Sequence, residues 1–233
     1  MTDGISWPCG LSKETKEQLE SISIHKEDSQ LSFLRSYQPF DGLYCISRGI
    51  ISFGYETENN RGLTSVSATF GQGDWFGASS IANPMQTFIQ AELVEPCKFH
   101  FFHRNQLLQL LKKNDEIYKL LYFITRESHV TVAQCHIISL AEMIPKVSYV
   151  LLDLLTKVRR YSHKSSHVQV SQVQLSRIAG VSRPKLNQIL KQMEKDNTIS
   201  VHYGSIEIVK PEALAVKLQG VDLSYKNPIP HLF

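Results

Sequence analysis

Pro184, Gln188, Lys191 and Lys195, with Lys185 on the flank and Arg183 at the exposed first turn, lie opposite Leu186, Ile189, Leu190 and Met193, which recur at i, i+3, i+4 and i+7 in the segment Ser182–Lys195. A helix built this way buries an apolar stripe and offers a guanidinium, ammonium groups and an amide to a partner. Those are the groups that read nucleic acid. The planar fork of Arg183 pairs bidentately with guanine O6 and N7. Lys185 and Gln188 can reach base edges or phosphate, while Lys191 and Lys195 add sequence-independent attraction. An ordinary amphipathic helix with a solvated basic face has the same composition, so the pattern needs independent support.

The elements around it supply that support. Ser171, with Gln174 three residues on, makes a capping box for a preceding helix that buries Val173, Leu175, Ile178 and Ala179. Gly180 provides a tight turn, Val181 fills the corner, and Ser182 is expected to cap the second helix, which carries Pro184 in its first turn. Downstream, TISVHYGSIEIV reads as a hairpin turning near Tyr203–Gly204, the wing of a winged helix-turn-helix. Charge follows the motif. Residues 1–138 hold 12 Lys/Arg against 15 Asp/Glu, whereas residues 139–233 hold 13 against 7. The net +3 of the chain therefore hides a basic C-terminal part, as a polyanion-binding module requires.

Upstream, the chain changes character. Leu11–Ser21 is expected to form a short amphipathic helix, and from Ser32 to Phe102 short apolar or alternating segments are punctuated by glycines, the pattern of an antiparallel sandwich or barrel. Helical patterns follow over Asn105–Ser139 and Met143–Arg160, then a loop at Tyr161–His167. In the first of these, Ile117, Leu121, Ile124, Ser128, Thr131, Cys135 and Ile138 alternate 4 and 3 apart, a heptad seam that serves either a buried core helix or a homodimer coil. Readers of DNA half-sites about 34–36 Å apart favour the dimer. No run approaches the roughly 20 apolar residues of a membrane span, and no secretory signal is visible, so a cytoplasmic protein without membrane association is expected. Four scattered cysteines (Cys9, Cys45, Cys97, Cys135) suit reduced thiols. No GxSxG, HExxH, Walker or paired-carboxylate signature marks an enzyme.

In the order sandwich, long helix, winged helix-turn-helix, the chain resembles the cyclic-AMP receptor protein / fumarate-nitrate regulator (CRP/FNR) family of bacterial transcription factors. The resemblance rests on LYCISRGIISF, the FGQGDWFG turn, NDEIYKLL and VSRPKLNQILKQMEKDNTIS, and spans Leu11 to Val209. It implies an α+β fold: an N-terminal antiparallel β-roll resembling cyclic-nucleotide-binding domains (1–114), a long dimerisation helix (115–139), and a winged helix-turn-helix with a C-terminal extension (140–233). It carries base reading to Ser182, Arg183, Pro184 and Gln188, and backbone contacts to Ser171, Gln172 and His202. Pro184 stands where the family commonly has an acidic residue and could touch a thymine methyl instead, which implies an altered target sequence.

The ligand positions depart further. Relatives that bind cyclic AMP use a Gly-Glu pair and an Arg-Ser pair; here these positions are Gly77-Ala78, followed by Ser79, and Met85-Gln86, with Val132 and Ala133 on the long helix. Both the carboxylate for ribose and the guanidinium for phosphate are missing, which argues against cyclic-nucleotide binding. One N-terminal cysteine, Cys9, argues against an iron–sulfur cluster, which takes four thiolates. No cofactor or metal is expected. The expected partners are double-stranded DNA and a second copy of the chain, with RNA polymerase and an unidentified small effector as further ones. The alternative is a small-ligand receptor whose winged domain no longer binds DNA.

Overall fold

The computed structural model describes residues 4–31, 40–55, 66–82 and 89–232; the side chains of Tyr55 and Ile89 lie outside this description. Helix α1 (Lys13–Ser21) opens the fold, capped by the Ser12 hydroxyl on the Thr15 amide at 3.1 Å. Strands β1 (Ser23–Glu27), β2 (Gly42–Tyr55), β3 (Ala68–Gly71), β4 (Trp75–Phe76) and β5 (Ile89–His103) then form one antiparallel sheet in the order β1-β5-β2-β3, with β4 also on β2. The 14 residues of β2 and 15 of β5 exceed ordinary strands, and register shifts between Ile46 and Ile51 bend them. Curling buries Tyr44, Ile46, Ile50, Phe70, Phe76, Phe99 and Phe101 on one side. Gly77 after β4 has φ +97, and a Cβ there would sit 2.3 Å from the Gly42 carbonyl, so only glycine lets this turn reach β2. A one-turn helix, α2 (Ser79–Ala82), follows.

The helical pattern expected over Asn105–Ser139 is two helices, α3 (Arg104–Leu111) and α4 (Glu116–Leu140). Asn114 makes the break: its side-chain oxygen accepts from the Glu116 amide at 3.0 Å, and its amide group donates to Thr15 and Gln18, both at 2.9 Å. A short amide that caps the next helix competes with continuing the first. Helix α5 (Met143–Arg159) is buried nearly all round, from Val147 to Leu155 without interruption. A helix with no solvated face is a central one. It lies against β3, α4 and the C-terminal elements, and the side chain of Lys157 crosses Gly71 so closely that a Cβ there would stand 2.9 Å from it.

The C-terminal elements are β6 (His167–Val168), α6 (Gln172–Ala179), α7 (Arg183–Lys195), β7 (Ile199–His202), β8 (Ser205–Ile208) and α8 (Pro211–Val216). The wing has three strands, in the order β6-β8-β7. His167, read from sequence as loop, is paired with Glu207 in that sheet. The tail beyond α8 runs back over α4 and α5. There Gln134, fully buried, donates to the Asp222 carbonyl at 2.8 Å and accepts from the Lys226 amide at 3.0 Å. Arg159 donates to the Leu232 carbonyl at 2.8 Å.

Candidate nucleic-acid interface

The turn that presents α7 is built locally. The Ser171 hydroxyl accepts from the Gln174 amide, and the Gln174 side chain accepts from the Ser171 amide, closing the capping box of α6. Gly180 ends α6 in the left-handed conformation (φ 61), its N–H bonded to the Arg177 carbonyl, and Val181 returns a 3.0 Å bond to Ser176. Leu186, Ile189, Leu190 and Met193 are buried on α7, with Leu175, Ile178, Ala179 and Val181 facing them across the turn.

That burial fixes the other face outward. Arg183, Pro184, Lys185, Gln188, Lys191 and Lys195 are all exposed, as are Asn187 and Gln192, which sequence reasoning passed over. The sheet and the tail leave this surface uncovered among the described residues. Ser182 holds the N-cap position (φ −61, ψ 145), yet its hydroxyl makes no capping bond. The backbone of Leu186 instead closes the first turn on the Ser182 carbonyl at 2.8 Å, so the hydroxyl stays at the half-buried leading edge. Ser171 and Gln172 are half-buried at the start of α6, and His202 is exposed on the wing. Tyr203, at the hairpin turn the sequence predicts but outside the site residues it names, is fully exposed beside Gly204 (φ +73).

Helix α6 is also the element that holds this unit on the N-terminal sheet. Gln174 donates to the Leu93 carbonyl at 2.9 Å, Arg177 pairs with Glu92 at 3.0 Å, and the Ser67 amide donates to the Ile178 carbonyl at 2.8 Å. At the far end of α5, Arg160 pairs with Asp74 at 2.6 Å.

Between the sheet and α4 lies a cavity of about 400 Å³, lined by Phe40, Phe53, Phe70 and Phe76, by Gly77 and Ser79, and by Val132, His129 and His136 among others. Of the expected pocket residues, Gly77, Ser79 and Val132 line it; Ala78 and Ala133 do not, Ala78 packing instead against the apolar cluster of Leu43, Trp75, Ile81, Phe102 and Leu107. Met85 and Gln86 lie outside the described residues. Among the described residues the lining holds no Lys, Arg, Asp or Glu.

The heptad stripe sits elsewhere than a dimer seam would put it. Ile117, Ile124, Thr131, Cys135 and Ile138 are buried in the protomer's own core, with Leu121 and Ser128 half-buried beside them. The sheet is the nearest apolar surface, so the more apolar stripe turns to it. Among the residues α4 leaves exposed is the same 4-3 repeat one residue on: Tyr118, Tyr122, Thr125, His129, Val132 and His136. All four cysteines are free. Burial pushes the Cys135 thiol up to about 12, and it faces the Ser67 carbonyl rather than solvent, so it is neutral and inert.

Comparison with known proteins agrees with this architecture. Residues 145–216 match the Crp-like helix-turn-helix domain. The chain is 22% identical over 195 residues to the cAMP-activated global transcriptional regulator CRP of Pasteurella multocida, spanning 82% of this chain and 91% of that one. It is 24% identical to the HTH-type transcriptional regulator Cmr of Mycobacterium tuberculosis over 78% of this chain and 70% of the relative. Among solved structures, the c-di-GMP responsive global regulator CLP of Xanthomonas campestris superposes with a TM-score of 0.66 at 19% identity, covering 84% of this chain and 99% of that one. A CRP/FNR-family transcriptional regulator from Thermus thermophilus gives 0.56 at 14% identity, over 86% and 95% of the two chains. With a Crp-like helix-turn-helix over residues 145–216, a curled antiparallel sheet before it and transcription regulators among its relatives, the chain is similar to regulators of the CRP/FNR family, which supports a DNA-binding transcription regulator.

Proposed function

We propose that the protein acts as a homodimer that sets α7 of each protomer into successive major grooves of a palindromic operator, under an effector other than a cyclic nucleotide. The exposed basic face of α7 carries the reading. Its positive N-terminal end meets phosphate, Arg183 and Gln188 reach base edges, and Pro184 offers only apolar contact, so a thymine methyl suits that position. Ser182 joins them at the leading edge, Ser171, Gln172 and His202 hold the backbone on either side, and Lys185 and Lys191 add charge. The second copy packs along Tyr118, Tyr122, Thr125, His129, Val132 and His136, the stripe the protomer leaves open. Several of these residues also border the sheet cavity, so the partner's helix closes the cavity's edge. A phosphate placed there would meet no Lys or Arg among the described lining residues, and an unpaired buried charge costs several kcal/mol. An apolar effector with few polar groups fits better.

Duplex binding followed against salt tests the reading. Affinity should fall steeply as salt rises, and Arg183→Ala should cost about 1–3 kcal/mol concentrated at one base pair of each half-site. Lys191→Ala should weaken all sequences alike. Binding that is absent at every sequence and salt, or unaffected by Arg183→Ala, removes the proposal and leaves a ligand receptor with an idle winged unit.

A further inference from the structure

His167 on β6, Glu207 on β8 and His202 on β7 meet on one face of the wing sheet. His167 and Glu207 are direct cross-strand partners, while His202 lies opposite Ser205, two residues along from the pair Ser200 and Glu207, and so on the same face and diagonal to the carboxylate. The Nε2 atoms of His167 and His202 stand 3.9 and 3.7 Å from the same Glu207 Oε2, and the three ligand atoms lie within 4.8 Å of one another. The two imidazoles are stacked, 5.9 Å between ring centres and 28° between planes. We propose that these three side chains bind one divalent transition-metal ion of the zinc class.

Residue type, spacing and outer contacts all fit. Two imidazoles and one carboxylate are a borderline-soft donor set that suits zinc and leaves a fourth position open to water. Ligand atoms of a tetrahedral zinc site are about 3.4 Å apart for bonds of 2.0–2.2 Å. The observed separations need only small side-chain rotations to reach that, and all three groups are part exposed and able to make them. The outer contacts are already arranged. Ser166 Oγ lies 3.2 Å from His167 Nδ1 and 3.3 Å from Glu207 Oε1. With Nε2 on the metal, Nδ1–H donates to the serine and the serine donates to the free carboxylate oxygen, a chain that holds both ligands in place. The strands also fix the donors on a rigid sheet, so little freedom is lost on binding. A bound ion would set two positive charges beside the exposed Tyr203 hairpin.

The test uses the full-length, tag-free protein stripped of metal and titrated with zinc chloride by calorimetry, with cobalt(II) as an optical probe. One zinc per chain should bind through this site, and cobalt should show the intense visible absorption of four-coordination. His167→Ala/His202→Ala should lose that equivalent. Glu207→Gln should weaken it at least about tenfold and Ser166→Ala by about 10–100-fold, each with an unchanged far-ultraviolet spectrum and melting curve. If wild type takes up no zinc at micromolar concentrations, the trio is a pair of surface ion pairs and the proposal fails. It fails equally if the double variant keeps the wild-type stoichiometry and affinity.

Discussion

At the scale of single residues, the most consequential group outside the interface is the buried charge cluster under the tail. Lys157, 1% exposed, lies 2.5 Å from Asp153, and Lys226 of the tail lies 3.8 Å from the other carboxylate oxygen. Thr69 hydrogen-bonds to the same carboxylate from β3. Burial by itself raises the Asp153 pKa, but the charges of Lys157 and Lys226 outweigh it and hold the carboxyl down at about 2. Burial lowers Lys157 to about 8, with Asp153 opposing it. A carboxylate with a depressed native pKa contributes stability above its unfolded value of 3.8, and that contribution is lost as pH falls toward 2. Asp153→Ala strands a buried ammonium and should cost about 3–5 kcal/mol by urea denaturation at pH 7. The double variant Asp153→Leu/Lys157→Met should recover most of this, and its stability should vary less with pH between 3.8 and 2 than that of wild type. A single variant as stable as wild type would show that water reaches the cluster.

At the scale of elements, α4 carries two stripes of equal period, and their difference is testable. Ile124→Ala empties a buried site and should cost about 2–5 kcal/mol of stability without changing the association state. Tyr122→Glu and Val132→Glu sit on the exposed stripe, so they should leave the protomer's stability nearly unchanged and shift dimer to monomer in sedimentation equilibrium. The reverse outcome would return the dimer seam to Ile117, Ile124 and Ile138. A repeat of 4 and 3 specifies that a stripe exists but not its partner. The buried stripe is the one that carries Ile117, Ile124 and Ile138, and α4 packs against β3, β4 and α5. The elements of the reading head were more legible. Capping box, left-handed glycine and the i, i+3, i+4, i+7 stripe lie close together along the chain, between Ser171 and Lys195, and each works through near neighbours.

At the scale of the whole molecule, the tail and α6 tie the parts together. Residues 222–232 satisfy both ends of the buried Gln134 amide, place Lys226 over Asp153, and receive Arg159. Removing residues 221–233 leaves that amide without partners, at a cost of about 1–3 kcal/mol for the orphaned group, and uncovers apolar surface of α5 besides. The truncated protein should unfold at lower urea than wild type by more than Gln134→Ala does. Equal midpoints for truncated and full-length protein would mean that the strap adds nothing to stability.

The sequence by itself determined the local chemistry: which helix face is basic, where the helices cap and turn, and that a glycine-punctuated sheet precedes them. Those features depend on residues a few positions apart, whose geometry the backbone alone enforces. Tertiary structure decided which stripe of α4 is inside, that His167 joins the wing beside His202 and Glu207, and that the tail folds back on Gln134. The tail contacts join residues 88 and 92 positions apart. Burial against a distant surface selects them, and no local spacing records which surface will arrive.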